Sequence, residues 1–290
     1  MKTIYGYLRL LRVPRAFTAM ADAVAGCLIA SSSSVDGTAL LFLVLSSAAI
    51  YSGGCVLNDI CDRNEDATER PERPIPSGAV SANGAVTLML ALLSIGLYLA
   101  FLAGAGSLVV ALLIVALVLV YNFLSRANAV LGPLSMGIMR ALNLVLGMTA
   151  GAVSFDERLL FPATTLFIVI SITALGRVRH KGSSARKGFI VAGWCAAAIA
   201  IFTLRELGII GAGAFVFLAL YGLYTGVNLD EALHSASSRV AARGAAALVI
   251  GIPLLDASYA AGAQDLSSGL SVALFFVPAY ALSKIFPATA

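Results

Sequence analysis

Asp59, Asp62 and Asp66 stand at i, i+3 and i+7, directly after Asn58, and Arg63, Arg70 and Arg73 follow in the same stretch. That spacing predicts three carboxylates on one face, if the apolar run that ends at Asn58 continues as a helix. Like charges so placed repel one another, and a divalent cation removes the penalty. Mg²⁺ takes one or two carboxylates together with phosphate oxygens and retained water. The guanidinium groups of Arg70 and Arg73 match phosphate oxygens two at a time, and Pro71, Pro74 and Pro76 stiffen the return of the chain. Asn-Asp-x-x-Asp-x-x-x-Asp, followed by Glu-Arg-Pro-Ile-Pro-Ser-Gly at 72–78, is too ordered for a merely solvated acidic loop. Metal-bound diphosphate is the chemistry it suits.

Such a site needs elements to carry it. Of the 290 residues, 60% are hydrophobic and 12% are charged, with a mean hydropathy of +0.94. These values lie far from those of soluble domains and point to lipid as the main solvent. Apolar stretches near 16–34, 38–57, 84–103, 106–124, 129–152, 159–175, 188–204, 207–225, 244–262 and 267–286 each approach the length of a spanning helix. They lack the alternation of barrel strands. The predicted fold is therefore all-α: a polytopic transmembrane helix bundle of nine or ten spans, with a central cavity opening to the cytoplasmic side. Residues 1–290 read as one membrane-embedded domain, without a cleavable signal peptide.

Charge distribution orients the bundle. With the N-terminus cytoplasmic, sixteen of the nineteen Lys and Arg residues fall on the inner side, as the positive-inside rule requires. The protein is predicted to be an integral protein of the bacterial inner membrane. Two inner loops stand out: 58–83 holds six of the fifteen acidic residues, and 176–187 holds five basic residues and no acid. Asp22, Arg140, Asn143 and Asp256 fall at membrane depth, where polar groups pair or line a cavity. Arg140 and Asn143 share one face and are candidates for acceptor contact; the competing reading pairs Arg140 with Asp22 to hold helices together. Tyr221, Tyr224 and Trp194 read as interfacial anchors. The four cysteines show no paired spacing and read as buried small hydrophobes. Neither His180 nor His234 has ligand spacing, and no P-loop, nucleophile elbow or nucleic-acid module is present.

Residues 58–78 resemble the first Asp-rich motif of the UbiA superfamily of intramembrane prenyltransferases. The resemblance extends to Arg12 and Pro14, to Tyr121-Asn122, and to Gly137, Arg140 and Asn143. It implies a Mg²⁺-dependent transfer of a prenyl group from a polyprenyl diphosphate to a small acceptor within the bilayer. Asp59, Asp62 and Asp66 would be the catalytic and metal-binding carboxylates, with Asn58 beside them. Arg63, Arg70, Arg73, Tyr121, Arg140, Asn143 and Asp22 complete the expected substrate contacts.

The pattern departs from the family in two places. The Tyr-x-x-x-Lys feature is incomplete, with Ser125 four places after Tyr121 and Arg126 next. The second acidic motif, Asp-x-x-x-Asp, is missing and is replaced by Leu175-Gly176-Arg177-Val178-Arg179-His180-Lys181. Either Arg177, Arg179 and Lys181 neutralise the diphosphate by fixed charge, or these residues are a topogenic cluster. Such departures resemble the divergent EboC-like branch. A lipid-linked carrier or transporter on the same scaffold, without turnover, is the alternative function.

Overall fold

The structure is a computed structural model that describes residues 2–31, 36–151, 156–177, 184–234 and 238–286. The described residues form helices: α1 (Lys2–Leu10), α2 (Val13–Ala30), α3 (Gly37–Cys61), α4 (Arg63–Glu69), α5 (Ala82–Ala103), α6 (Ala105–Val120) and α7 (Leu131–Met148). They continue with α8 (Leu160–Arg177), α9 (Ser184–Glu206), α10 (Ala214–His234), α11 (Ser238–Ile250), α12 (Ile252–Ala263), α13 (Leu266–Ala273) and α14 (Phe276–Ile285). A π-helical turn at Tyr121–Ser125 closes α6. Among the described residues, eight helical segments are long and apolar enough to cross a membrane. α11 and α12 together make one of them, as do α13 and α14, each pair being broken near its middle.

The boundaries follow local chemistry. Asp36 caps α3 by accepting from the Thr38 and Ala39 amides, and Ser81 caps α5 through the Gly84 amide, satisfying orphan donors of the first turn. Asp265 caps α13, and the bond from Ser268 N–H holds its carboxyl below the usual carboxylate range. Short α1 lies ahead of the first apolar run, where no element was expected from the sequence. α10 also begins several residues later than the 207–225 stretch suggests.

α2 is the central element and packs against α3, α7, α11, α12, α13 and α14. Its approach to α7 depends on glycine. A Cβ at Gly26 would overlap the Leu144 carbonyl, and one at Gly147 would overlap the Ala23 carbonyl. Small residues of this kind bring membrane helices to backbone contact. α12 is buried along its whole length. α5 and α6 lie at the rim and turn Leu90, Ile95, Phe101, Val109 and Leu113 outward, the side chains that would meet lipid.

Candidate active site

Three segments converge on Asp59, which is buried near the end of α3. The turn between α1 and α2 supplies Arg12, whose Nη2 lies 2.7 Å from Asp59 Oδ1 and donates to Asn58 Oδ1 at 3.2 Å. Arg12 has φ +47°, the one positive-φ residue other than glycine among those described. A left-handed arginine is strained, and here the strain falls at the N-cap of α2, where the guanidinium meets the carboxylate. The proline-rich return after α4 supplies Arg73. Its Nη1 lies 3.4 Å from Asp59 Oδ1 and 2.8 Å from Asp66 Oδ2. Arg70 stands 3.9 Å from the other Asp66 oxygen.

The expected single face of three carboxylates is therefore only partly formed. Helix α3 ends at Cys61 and α4 begins at Arg63, with Asp62 at the junction. Asp59 and Asp66 share Arg73, whereas Asp62 turns to Arg126, beyond the π-helical turn. Asn58 Nδ2 donates to Asn122 Oδ1 at 3.3 Å, joining the motif to that same turn. Among the described residues, no three Asp, Glu, His or Cys side chains converge on one point. A cation in the place of Arg73 Nη1 would nevertheless lie between two carboxylates. The donors are hard oxygens, and Mg²⁺ leaves its remaining positions to phosphate and water. The set fits one divalent cation and does not form a three-carboxylate centre.

A cavity of about 1360 Å³ opens beside this cluster. Its lining carries Arg9, Arg12, Arg15, Arg70, Arg73, Arg243 and Lys284 against Asp59, Glu69 and Glu72: seven cations and three carboxylates. Tyr224, Phe276, Tyr280 and Phe286 add aromatic faces to the same lining. Tyr224 meets Phe276 edge-on at 5.1 Å, Phe276 stacks on Tyr280 at 5.6 Å, and Lys284 Nζ lies 4.8 Å above the Tyr280 ring.

The candidates from sequence divide accordingly. Asp59, Arg70 and Arg73 line the cavity. Asp66 is buried behind them, and Arg63 is exposed. Tyr121 lies half-buried in the π-helical turn. Asp22, Arg140 and Asn143 are not on the cavity wall. They form the structural cluster instead, with Arg140 Nε 2.6 Å from Asp22 Oδ2 and Asn143 Nδ2 donating to the same oxygen at 2.7 Å. Of the two readings of these membrane-depth residues, the geometry matches the pairing of Arg140 with Asp22. Arg179, Lys181 and the side chain of Arg177 lie outside the described residues.

Sequence reasoning missed Arg9, Arg15, Arg243 and Lys284, because their charge was read as topogenic. It also took Tyr221 and Tyr224 for interfacial anchors. Tyr221 is buried and stacks on Trp194 at 5.6 Å, and Tyr224 belongs to the cavity wall. The aromatic spacing at Phe276, Tyr280 and Phe286 was the available signal for that wall.

Comparison with known proteins agrees with this architecture. The description "UbiA prenyltransferase family" matches residues 19–181. A digeranylgeranylglyceryl phosphate synthase of Metallosphaera sedula is 33% identical over 141 residues, covering 49% of this chain and 50% of that protein. The chain thus spans about half the length of the curated relatives it matches. A UbiA homolog from Aeropyrum pernix K1 superimposes with a TM-score of 0.68 at 18% identity, covering 90% of this chain and 96% of the other. A UbiA homolog from Archaeoglobus fulgidus bound to GPP and Mg²⁺ gives 0.55 at 15% identity, covering 96% and 99%. At these identities the structural likeness is one of fold.

Proposed function

The chain belongs to the UbiA prenyltransferase family, and from that premise we propose that it transfers a prenyl group from a polyprenyl diphosphate to a small acceptor inside the membrane. The observation that carries the reading is the position of Arg73, between Asp59 and Asp66 at a cavity lined by cations and by aromatic rings.

Mg²⁺, when bound, would supply charge neutralisation for the departing diphosphate. Asp59 and Asp66 would hold it, with Asn58 adjacent. Arg73 and Arg12 would then exchange carboxylate partners for phosphate oxygens, so the apo ion pairs keep both guanidinium groups in reach. Arg70, Arg9 and Arg243 bring further positive charge to the same wall, where fixed charge stabilises a leaving anion most effectively. Breaking the C–O bond leaves an allylic cation. The faces of Tyr224, Phe276 and Tyr280 are suited to attract it and to keep water away. Bond formation to the acceptor completes the transfer, and the acceptor's proton leaves to solvent or diphosphate.

The cation surplus supports an acceptor that is itself anionic. That agrees with the name of the Metallosphaera relative, a digeranylgeranylglyceryl phosphate synthase. Arg243 and Lys284, on α11 and α14, would meet the second anion.

The test is pyrophosphate release by purified protein with Mg²⁺, a series of prenyl diphosphates, and acceptors with and without a phosphate. Wild type is expected to turn over. Asp59→Asn is expected to lose on the order of 100-fold, the usual effect of removing one electrostatic stabiliser. Equal, negligible release by both across the series would sink the proposal, and substrate movement in proteoliposomes without covalent change would favour a carrier.

A further inference from the structure

A second polar cluster lies in the bundle interior, away from the cavity wall, at the junction of α2, α7 and α12. Asp22 and Asp256 are fully buried, and Arg140 and Asn143 are nearly so. Arg140 closes on Asp22, while its Nη2 donates to the Thr18 carbonyl at 2.6 Å. Asn143 donates to Asp22 Oδ2 at 2.7 Å and to the Ala19 carbonyl at 2.9 Å, and accepts from Ser47 Oγ at 2.8 Å. These contacts of Arg140 and Asn143 are all directed at Asp22 or at the α2 backbone.

Asp256 receives none of them. Neither of its oxygens has a hydrogen-bond partner, and Asp22 Oδ1 also lacks one. Yet α12 packs against α2, and the two carboxyl groups interact across that contact. Two carboxylates cannot hydrogen-bond without a proton between them. Two negative charges also face the single positive charge of Arg140, in a membrane interior where an uncompensated ion is costly. The other titratable groups near Asp256 are Tyr221 of α10 and Tyr259 of α12. The Tyr259 hydroxyl accepts from Thr165 Oγ1 of α8 at 3.3 Å. Tyr51 of α3 is a neighbour of Arg140. None supplies a positive charge.

We propose that Asp22 and Asp256 bind one proton between them, a site that joins α12 to α2 and leaves the Asp22–Arg140–Asp256 cluster electrically neutral. A proton suits this place better than a metal ion. A sodium ion needs several oxygens, and the carbonyls nearest Asp22 already accept from Arg140 and Asn143.

The infrared spectrum of the folded protein, made with ¹³C-labelled aspartate, tests the site without any substitution. The expected result is a carbonyl stretch of a protonated aspartic acid that persists at neutral pH and shifts with the label. Asp256→Asn is expected to remove the band. The folded state holds a proton that the unfolded chain releases, so the wild-type melting temperature falls as pH rises beyond the release point. Asp256→Asn flattens that dependence, because the amide needs no proton to bond Asp22. Absence of the band at neutral pH, or its survival in Asp256→Asn, would overturn the proposal. A melting temperature that follows sodium against choline at fixed pH would overturn it in favour of a cation site.

Discussion

Arg73 holds two carboxylates with one nitrogen, and that geometry makes opposite demands on the apo and loaded states. Its side chain is only 11% exposed, and Asp66 is 4% exposed. Removing one partner of a buried pair costs about 3–5 kcal/mol, because the other charge stays behind. Arg73→Ala is therefore expected to lower apo stability by about that amount. It also leaves Asp59 and Asp66 facing each other, so added Mg²⁺ should raise the melting temperature of the variant more than that of wild type. Equal Mg²⁺ shifts would count against the shared cation position. Asp62 is different. Its partner Arg126 is 29% exposed and lies on another segment, and exposed pairs contribute about 0–1 kcal/mol. Asp62→Asn should cost less than about tenfold in turnover, against the larger loss expected for Asp59→Asn. The sequence placed all three aspartates on an equal footing, because periodicity describes a helix and not where its partners stand.

At the scale of elements, the α2–α7 contact positions the interior polar cluster. It presses Asp22 against Arg140 and Asn143, while the head of α2 carries Arg12 to α3. Gly26→Ala puts a methyl group into the Leu144 carbonyl, and overpacking of this kind costs about 1–3 kcal/mol. Gly222→Ala on α10 meets nothing within 4 Å and should be neutral or stabilising by up to about 1 kcal/mol through helix propensity. Thermal unfolding in detergent compares the two. Equal effects of the two substitutions would mean that close approach to α7 does not govern Gly26. The glycines are plain in the sequence, but a helix of small residues does not announce which neighbour it touches.

Across the whole molecule, the cavity combines two chemical characters. The cations of the lining come from both ends of the chain, from Arg9 to Lys284, and the aromatic rings come from α10, α14 and Phe286 just beyond it. A Phe276→Ala, Tyr280→Ala double variant widens the cavity and admits water. Transfer is expected to fall about tenfold, the worth of roughly one cation–π contact, and the share of free prenyl alcohol is expected to rise. Unchanged partition between alcohol and transferred product would remove those rings from the proposed reaction.

The amino-acid sequence by itself determined that this chain enters lipid as helices, since hydropathy and the length of apolar runs are local quantities. It also determined the Asp-rich motif, whose order is carried within one stretch, and with it the family. Only the tertiary structure decided how that motif is used. Arg12 and Arg73 reach Asp59 from different segments, Asp62 is drawn to Arg126, and Arg140 is committed to Asp22 within the bundle. Pairings between charges that are remote in sequence depend on which helices touch, and that follows from packing contacts such as Gly26 against Leu144, which no local pattern encodes.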